Sequence, residues 1–443
     1  MSQLSPKILS AVPGPRSREL AARLAAVESP AFDARRDARA RASGADQTPI
    51  VFSSGEGSNV LDADGNRYVD LTCGFGALAL GHAHPSIVRA ANAQAERLSL
   101  ALGDVYASES KVLLCQRLSK LLPESDARVM LGLSGADAVT AALKTAVLAT
   151  GRPGVIAFEG AYHGLSYAPL AACGYSEAFR APFAPQLGNH VRFVPYPSRQ
   201  DDLERTYQAI QLALESGGIG AILVEPILGR GGCIVPPPSF LPTLRSICDR
   251  DRVLLLVDEV WTGLGRSGAK LACLEEEVVP DVLCLGKSLG AGWPVSACVG
   301  SARAMAAWGA HGGTAIHTAT HFGAPPACAA ALAFLDVLDD DKLDRRAAEV
   351  GERLCTMLRA NVLGHGVRAV TGRGLMIGLE LEGGVARALA VSRALLEAGW
   401  IVLTGGARGD VITLTPALNA SEELLVEFAS VVVDVLARDA KMS

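Results

Sequence analysis

Lys287 follows the apolar run Val282-Leu283-Cys284-Leu285 after a single glycine, and Ser288-Leu289-Gly290-Ala291-Gly292 follows it. An amine at a strand end, inside a glycine-rich turn, is held at a sheet rim and partly withdrawn from water. That withdrawal favours the neutral amine, a nucleophile for carbonyl carbon. Asp258 ends a second apolar run, Val253-Leu254-Leu255-Leu256-Val257. It precedes Lys287 by the length of one crossover between neighbouring parallel strands, and a right-handed crossover sets both groups on one rim. A carboxylate withdrawn from water needs a cationic partner. A pyridinium nitrogen is one, and a ring so paired can act as an electron sink.

Two further motifs suit the same kind of ligand. Ser134-Gly135-Ala136-Asp137 opens a helical stretch after Val129-Met130-Leu131. Ser134 and Asp137 have the spacing of a capping box, and the backbone N–H groups at that helix end can seat a phosphate. Tyr162-His163-Gly164 follows another apolar run, where an aromatic ring can stack on a flat heteroaromatic one. Taken singly, each has a plainer reading: a surface lysine, a capped helix, a packed loop tyrosine.

The elements that must position these residues show in the pattern of the chain. Short apolar runs at 129–131, 154–158, 191–194, 221–224, 253–257 and 282–285 alternate with Ala- and Leu-rich helical segments. That order predicts an α/β fold with a mostly parallel sheet covered on both faces, binding ligands at the strands' carboxyl ends. A hairpin is expected around Asp64-Gly65, a short helix over 17–26 and a surface connection over 31–48. The later part adds strands at 376–381 and 411–414 and a helix from Ser421. The expected division is an N-terminal segment, 1–60, joining a small α+β domain completed by 331–443, with a large cofactor-binding domain over 61–330.

Composition excludes other classes. The 443 residues carry 41 basic against 46 acidic side chains and 49% hydrophobic residues. This gives a globular chain without a nucleic-acid or polybasic membrane footprint. Ten cysteines without a Cys-x-x-Cys pair, and no signal-peptide pattern at the N-terminus, predict a cytoplasmic protein with reduced thiols. No apolar run reaches membrane-spanning length. Gly263-Leu264-Gly265-Arg266-Ser267-Gly268 fits a dinucleotide-binding string. However, Asp258 to Thr262 separate it from its strand, and no strand-terminal acid follows at the required distance. His311, His317 and His321 lack metalloprotease spacing and no metal is expected; His82 and His84 read as structural.

Assembled, the motifs resemble those of class III aminotransferases, pyridoxal-phosphate enzymes of fold type I. The likeness runs from Leu71 to Ser421. Its strongest block is Leu256-Val257-Asp258-Glu259-Val260-Trp261-Thr262-Gly263-Leu264-Gly265-Arg266-Ser267-Gly268, followed by Pro280-Asp281 and Gly286-Lys287-Ser288-Leu289-Gly290-Ala291-Gly292-Trp293-Pro294. Leu80-Gly81-His82-Ala83-His84-Pro85 and Gly372-Arg373-Gly374-Leu375-Met376 also fit. The resemblance implies that Lys287 forms the internal aldimine and shuttles the proton. It implies that Asp258 pairs with the pyridine nitrogen, Tyr162 and Val260 sandwich the ring, and Gly135 and Ala136 hold the phosphate. Ser134, His163 and Trp261 complete the cofactor set. Thr320 would reach the phosphate from a partner subunit, in a homodimer with shared active sites. The reaction implied is amino transfer between an amine or amino acid and a keto or aldehyde acceptor. A racemase or epimerase of the same family is the alternative.

Four positions depart from the family pattern. Trp261 stands where a Gln is usual, Arg230 where a Glu is usual, Thr413 where an Arg is usual, and Thr140 replaces a Glu on the phosphate helix. In many relatives the Glu at the position of Arg230 and the Arg at the position of Thr413 form a switchable ion pair, and the Arg binds the carboxylate of the substrate. With both members missing, carboxylate recognition is expected at Arg230, whose planar guanidinium suits it. The alternative is that Arg230 is solvated or serves another pair. Trp261 and Thr413 join Arg230 as candidate substrate contacts.

Overall fold

The computed structural model describes residues 3–123, 126–310 and 313–442. The chain divides into two compact units, a terminal one from residues 1–84 and 345–443 and a central one from 85–344. The N-terminal share of the terminal unit therefore reaches His84 instead of ending at residue 60, and the C-terminal share begins at Arg345 instead of 331. Strand pairing gives the reason. The hairpin strands Asn59–Asp62 and Arg67–Asp70 pair with each other, and Arg67–Asp70 also pairs in parallel with Trp400–Ile401. The helix Pro325–Asp340 stays in the central unit, packed on the helices Pro85–Arg97 and Glu109–Ser119.

The terminal unit holds a second sheet, in the order Val367–Arg373, Met376–Leu381, Val411–Leu414, Leu403–Gly405. It ends on the helix Glu422–Met442. The expected N-terminal helix spans Pro15–Ala25. The stretch read as a surface connection is a helix, Pro30–Ser43, with no buried residue. Pro30 at its first position and Gly44 in the left-handed region after it are ordinary helix punctuation. Its Ala and Arg residues favour helix without an apolar stripe to announce it.

The central unit is built on seven strands: β1 (Arg128–Gly132), β2 (Gly154–Phe158), β3 (Val191–Val194), β4 (Ile219–Val224), β5 (Leu254–Asp258), β6 (Val282–Leu285) and β7 (Ser296–Gly300). Their order is β1-β7-β6-β5-β4-β2-β3. β6, β5, β4, β2 and β3 run parallel, whereas β7 is antiparallel to both β1 and β6. β7 has the sequence Ser-Ala-Cys-Val-Gly, whose small residues carry little strand signal.

Both faces of this sheet are covered. Ala221, Leu223, Leu254, Leu256, Val282 and Cys284 pack with Ala138, Ala142 and Ala146 of the helix Gly135–Thr150. Their alternating neighbours Ile222, Val224, Leu255, Val257, Leu283 and Leu285 are wholly buried as well, as a period of two demands. Alanine on the helix lets its axis lie close to the sheet. That closeness fixes where its N-terminus meets the strand ends.

Candidate active site

Parallel register brings the chemistry together. Val224 of β4 lies opposite Val257 of β5, and Asp258 lies opposite Cys284 of β6. Glu225 and Asp258 are therefore adjacent strand ends, and Lys287 lies just past the next one. Tyr162 and His163 follow β2, which pairs with β4. The resulting pocket of about 260 Å³ is lined by Ser134, Gly135, Ala136, Tyr162, His163, Gly164, Leu165, Glu225, Asp258, Val260, Trp261 and Lys287.

Lys287 is set by an unusual backbone. Gly286 is extended, then Lys287 turns into the left-handed region at φ 40° and opens a short 3-10 turn. A non-glycine residue there costs about 1–3 kcal/mol, strain that tends to persist where function requires it. The helix Pro325–Asp340 packs against this turn. The Lys287 ammonium lies over the Trp261 ring, 4.0 Å from its centroid, in cation–π geometry. Burial lowers the Lys287 pKa from 10.5 to about 8, against the raising charges of Asp258 and Glu225 and with help from the Arg230 and Arg266 cations.

Asp258 is 4% exposed. Its Oδ2 accepts from His163 Nδ1 at 2.7 Å and its Oδ1 from the Val260 backbone N–H at 3.0 Å. Burial pushes the His163 pKa down, but the hydrogen bond to Asp258 and the charges of Asp258 and Glu225 outweigh it, and the net shift is upward. Glu225, equally enclosed, accepts from the Tyr162 N–H at 2.8 Å and the Gly229 N–H at 3.0 Å. Burial raises its pKa to about 7; His163 opposes the rise and Asp258 adds to it. One carboxylate thus fastens both the Tyr162 turn and the loop that carries Arg230.

The helix Gly135–Thr150 begins at the other side of the pocket. Ser134 caps it, its Oγ accepting from the Asp137 N–H, while Asp137 accepts from the Leu133 and Ser134 N–H groups. The first-turn N–H groups of Gly135 and Ala136 have no acceptor within their own helix. No side chain fits at two places beside them. A Cβ at Gly135 would lie 2.7 Å from Val260 Cγ1, and one at Gly164 (φ 112°) would lie 2.7 Å from the Ala136 Cβ. This cradle of bare backbone at a helix N-terminus is what a phosphate requires. With a nucleophilic amine and a buried carboxylate beside it, the pocket fits pyridoxal 5′-phosphate. Gly135→Ala is expected to weaken cofactor affinity at least tenfold, because Val260 must shift or the helix start must retreat. Cofactor titration followed by absorbance checks it.

Ser134, Gly135, Ala136, Tyr162, His163, Asp258, Val260, Trp261 and Lys287 all line this one pocket. Arg230 flanks it, its guanidinium over the Tyr162 ring. Thr320 does not line it and is exposed on the surface of its own chain. Thr413 is buried in the strand Val411–Leu414 of the terminal unit. Thr140 is turned to its own helix, donating to the Ala136 carbonyl at 2.7 Å. Glu225 and Leu165 are not among the sequence candidates. The signal for Glu225 was available, since it ends an apolar strand run just as Asp258 does. Among the described residues no group of acidic, His or Cys side chains could hold a metal ion. His311 lies outside the described residues, and His82 bonds to Asp70 at 2.8 Å.

Comparison with known proteins agrees with this geometry. The sequence profile of the class III aminotransferases matches residues 40–436. A 4-aminobutyrate aminotransferase of Mycobacterium leprae is 34% identical over 445 residues, 96% of each chain. An acetylornithine aminotransferase of Methanothermobacter thermautotrophicus is 36% identical over 382 residues, 85% of this chain and 90% of that one. The crystal structure of the ornithine aminotransferase from Toxoplasma gondii, with pyridoxal phosphate at partial occupancy in its active site, superposes with a TM-score of 0.81. It is 31% identical and covers 89% of this chain and 92% of that one. The chain belongs to the class III aminotransferase family, the pyridoxal-phosphate-dependent enzymes of amino transfer.

Proposed function

We propose that this pocket exchanges an amino group between an amine or amino acid and a carbonyl acceptor, with Lys287 as the reacting amine and proton carrier. The observation that carries it is the juxtaposition of Lys287 and Asp258 at neighbouring parallel strand ends, beside the cradle of Gly135 and Ala136. When bound, the cofactor supplies an electron sink for charge developing on the substrate carbon. Gly135 and Ala136 would hold its phosphate, Asp258 its ring nitrogen, and Tyr162 and Val260 its two faces. Lys287, with a pKa lowered to about 8, takes a proton from the substrate carbon and returns one near neutral pH. His163 orients Asp258, and Trp261 limits the room around the Lys287 ammonium.

The exposed position of Thr320 suits a contribution to a second subunit, which supports a homodimer with shared active sites. All ten cysteines are free, nine of them buried. Among the described residues no helix is long and apolar enough to cross a membrane. These features support work in the cytoplasm. The test is a panel of amines and amino acids supplied with keto acids. Loss of amine matched by an equal gain of carbonyl product is expected. Solvent deuterium entering an otherwise unchanged amino acid would instead favour the racemase, which the aminotransferase names of the relatives disfavour.

A further inference from the structure

We propose that Arg230 is the specificity residue of this site, a permanently presented cation that selects a carboxylate on both the amino donor and the carbonyl acceptor. The inference deepens the aminotransferase reading and rests on it. The Arg230 guanidinium lies over three rings, 4.6 Å from the centroid of Tyr162, 5.1 Å from Tyr175 and 5.8 Å from Phe179. The rings brace one another. Tyr162 meets Tyr175 edge-on at 6.2 Å, and Tyr175 stacks on Phe179 at 5.8 Å. An arginine packed on aromatic faces keeps its in-plane N–H fork for a ligand, and a planar carboxylate matches that fork.

Among the described residues no acceptor occupies the fork, and Arg230 has no ion pair. The nearby Glu225 carboxylate is engaged by the Tyr162 and Gly229 N–H groups. That same bond to Gly229, together with the bridge between Leu228 and Ile234, fixes the backbone around Arg230. The position relative to the chemistry is right. Tyr162, under the guanidinium, lines the pocket that holds Lys287, and the Arg230 charge is felt at the Lys287 amine. A substrate presenting its amine or carbonyl to Lys287 would carry its carboxylate on the Tyr162 side. A half-buried cation without an acidic partner also disfavours an uncharged tail in its place. With no counter-ion to fold back onto, Arg230 faces the second substrate as it faced the first, so both are selected alike.

Calorimetric titration of the cofactor-loaded enzyme with butyrate and with butyramide tests this without turnover. The native enzyme is expected to prefer the acid, and Arg230→Gln to weaken butyrate by about tenfold or more while changing butyramide much less. Arg230→Lys, which keeps the charge and loses the fork, is expected to fall between, and it carries the test should the glutamine variant fail to fold. Equal affinity of native and variant enzymes for butyrate would overturn the proposal. So would equal weakening of acid and amide, which would mean collapse of the aromatic cage. An enzyme that binds the acid through Arg230 yet transfers no amino group would refute the aminotransferase reading alone.

Discussion

Lys287→Ala is expected to slow amino transfer by on the order of ten-thousandfold, the combined loss of a positioned nucleophile and proton carrier. Single-turnover rates with added cofactor measure it. Pyridoxal phosphate should still bind, since the Gly135 and Ala136 cradle and Asp258 are untouched. Borohydride reduction, which should fix label on Lys287 in the native chain, should then leave none. A variant within tenfold of native activity would remove Lys287 from the mechanism. The residue also has a thermodynamic signature. Folding lowers its pKa from 10.5 to about 8, so between those values the unfolded chain holds a proton that the folded chain has released. Stability therefore rises with pH across that window, and the cost of the enclosed ammonium is present in full below about 8. Cofactor-free Lys287→Met should melt above the cofactor-free native chain at pH 7. That advantage should shrink towards pH 10.5.

The rim was legible because strand ends leave a strong trace. An apolar run stopped by a charged or glycine residue occurs at Asp258, Glu225 and Gly286-Lys287, and parallel pairing turns those three stops into neighbours. The capping box at Ser134 and the closing Gly151 likewise set both ends of the helix Gly135–Thr150. What escaped reading lacks a local period. The aromatic cage joins Arg230 to Tyr175 and Phe179 across two intervening strands and a helix, and no spacing rule links such positions. The helix Pro30–Ser43 has no buried face to betray it. The boundary at His84 follows from the parallel pairing of Arg67–Asp70 with Trp400–Ile401, two segments at opposite ends of the chain.

Asp258→Asn should lower amino transfer by roughly a hundred- to a thousandfold, the scale for removing one preorganised charge from an enclosed site. The side chain keeps its shape, and its Oδ1 can still accept from the Val260 N–H. The amide nitrogen, itself a donor, must then face His163 Nδ1, which donated to the carboxylate at 2.7 Å. Two donors in contact force the imidazole into its other tautomer or out of place. The upward push on the His163 pKa depends on that carboxylate, while burial acts in the opposite direction. Its titration, read by NMR on the cofactor-free chain, should therefore move down in the variant. A purely structural role for Asp258 predicts loss of folded protein together with activity. An electrostatic role predicts a folded chain with a neutral His163 and a bound cofactor whose ring nitrogen has lost its anionic partner. An Asp258→Asn enzyme that stays within several-fold of native rate, with the His163 titration unmoved, would separate the carboxylate from the chemistry altogether.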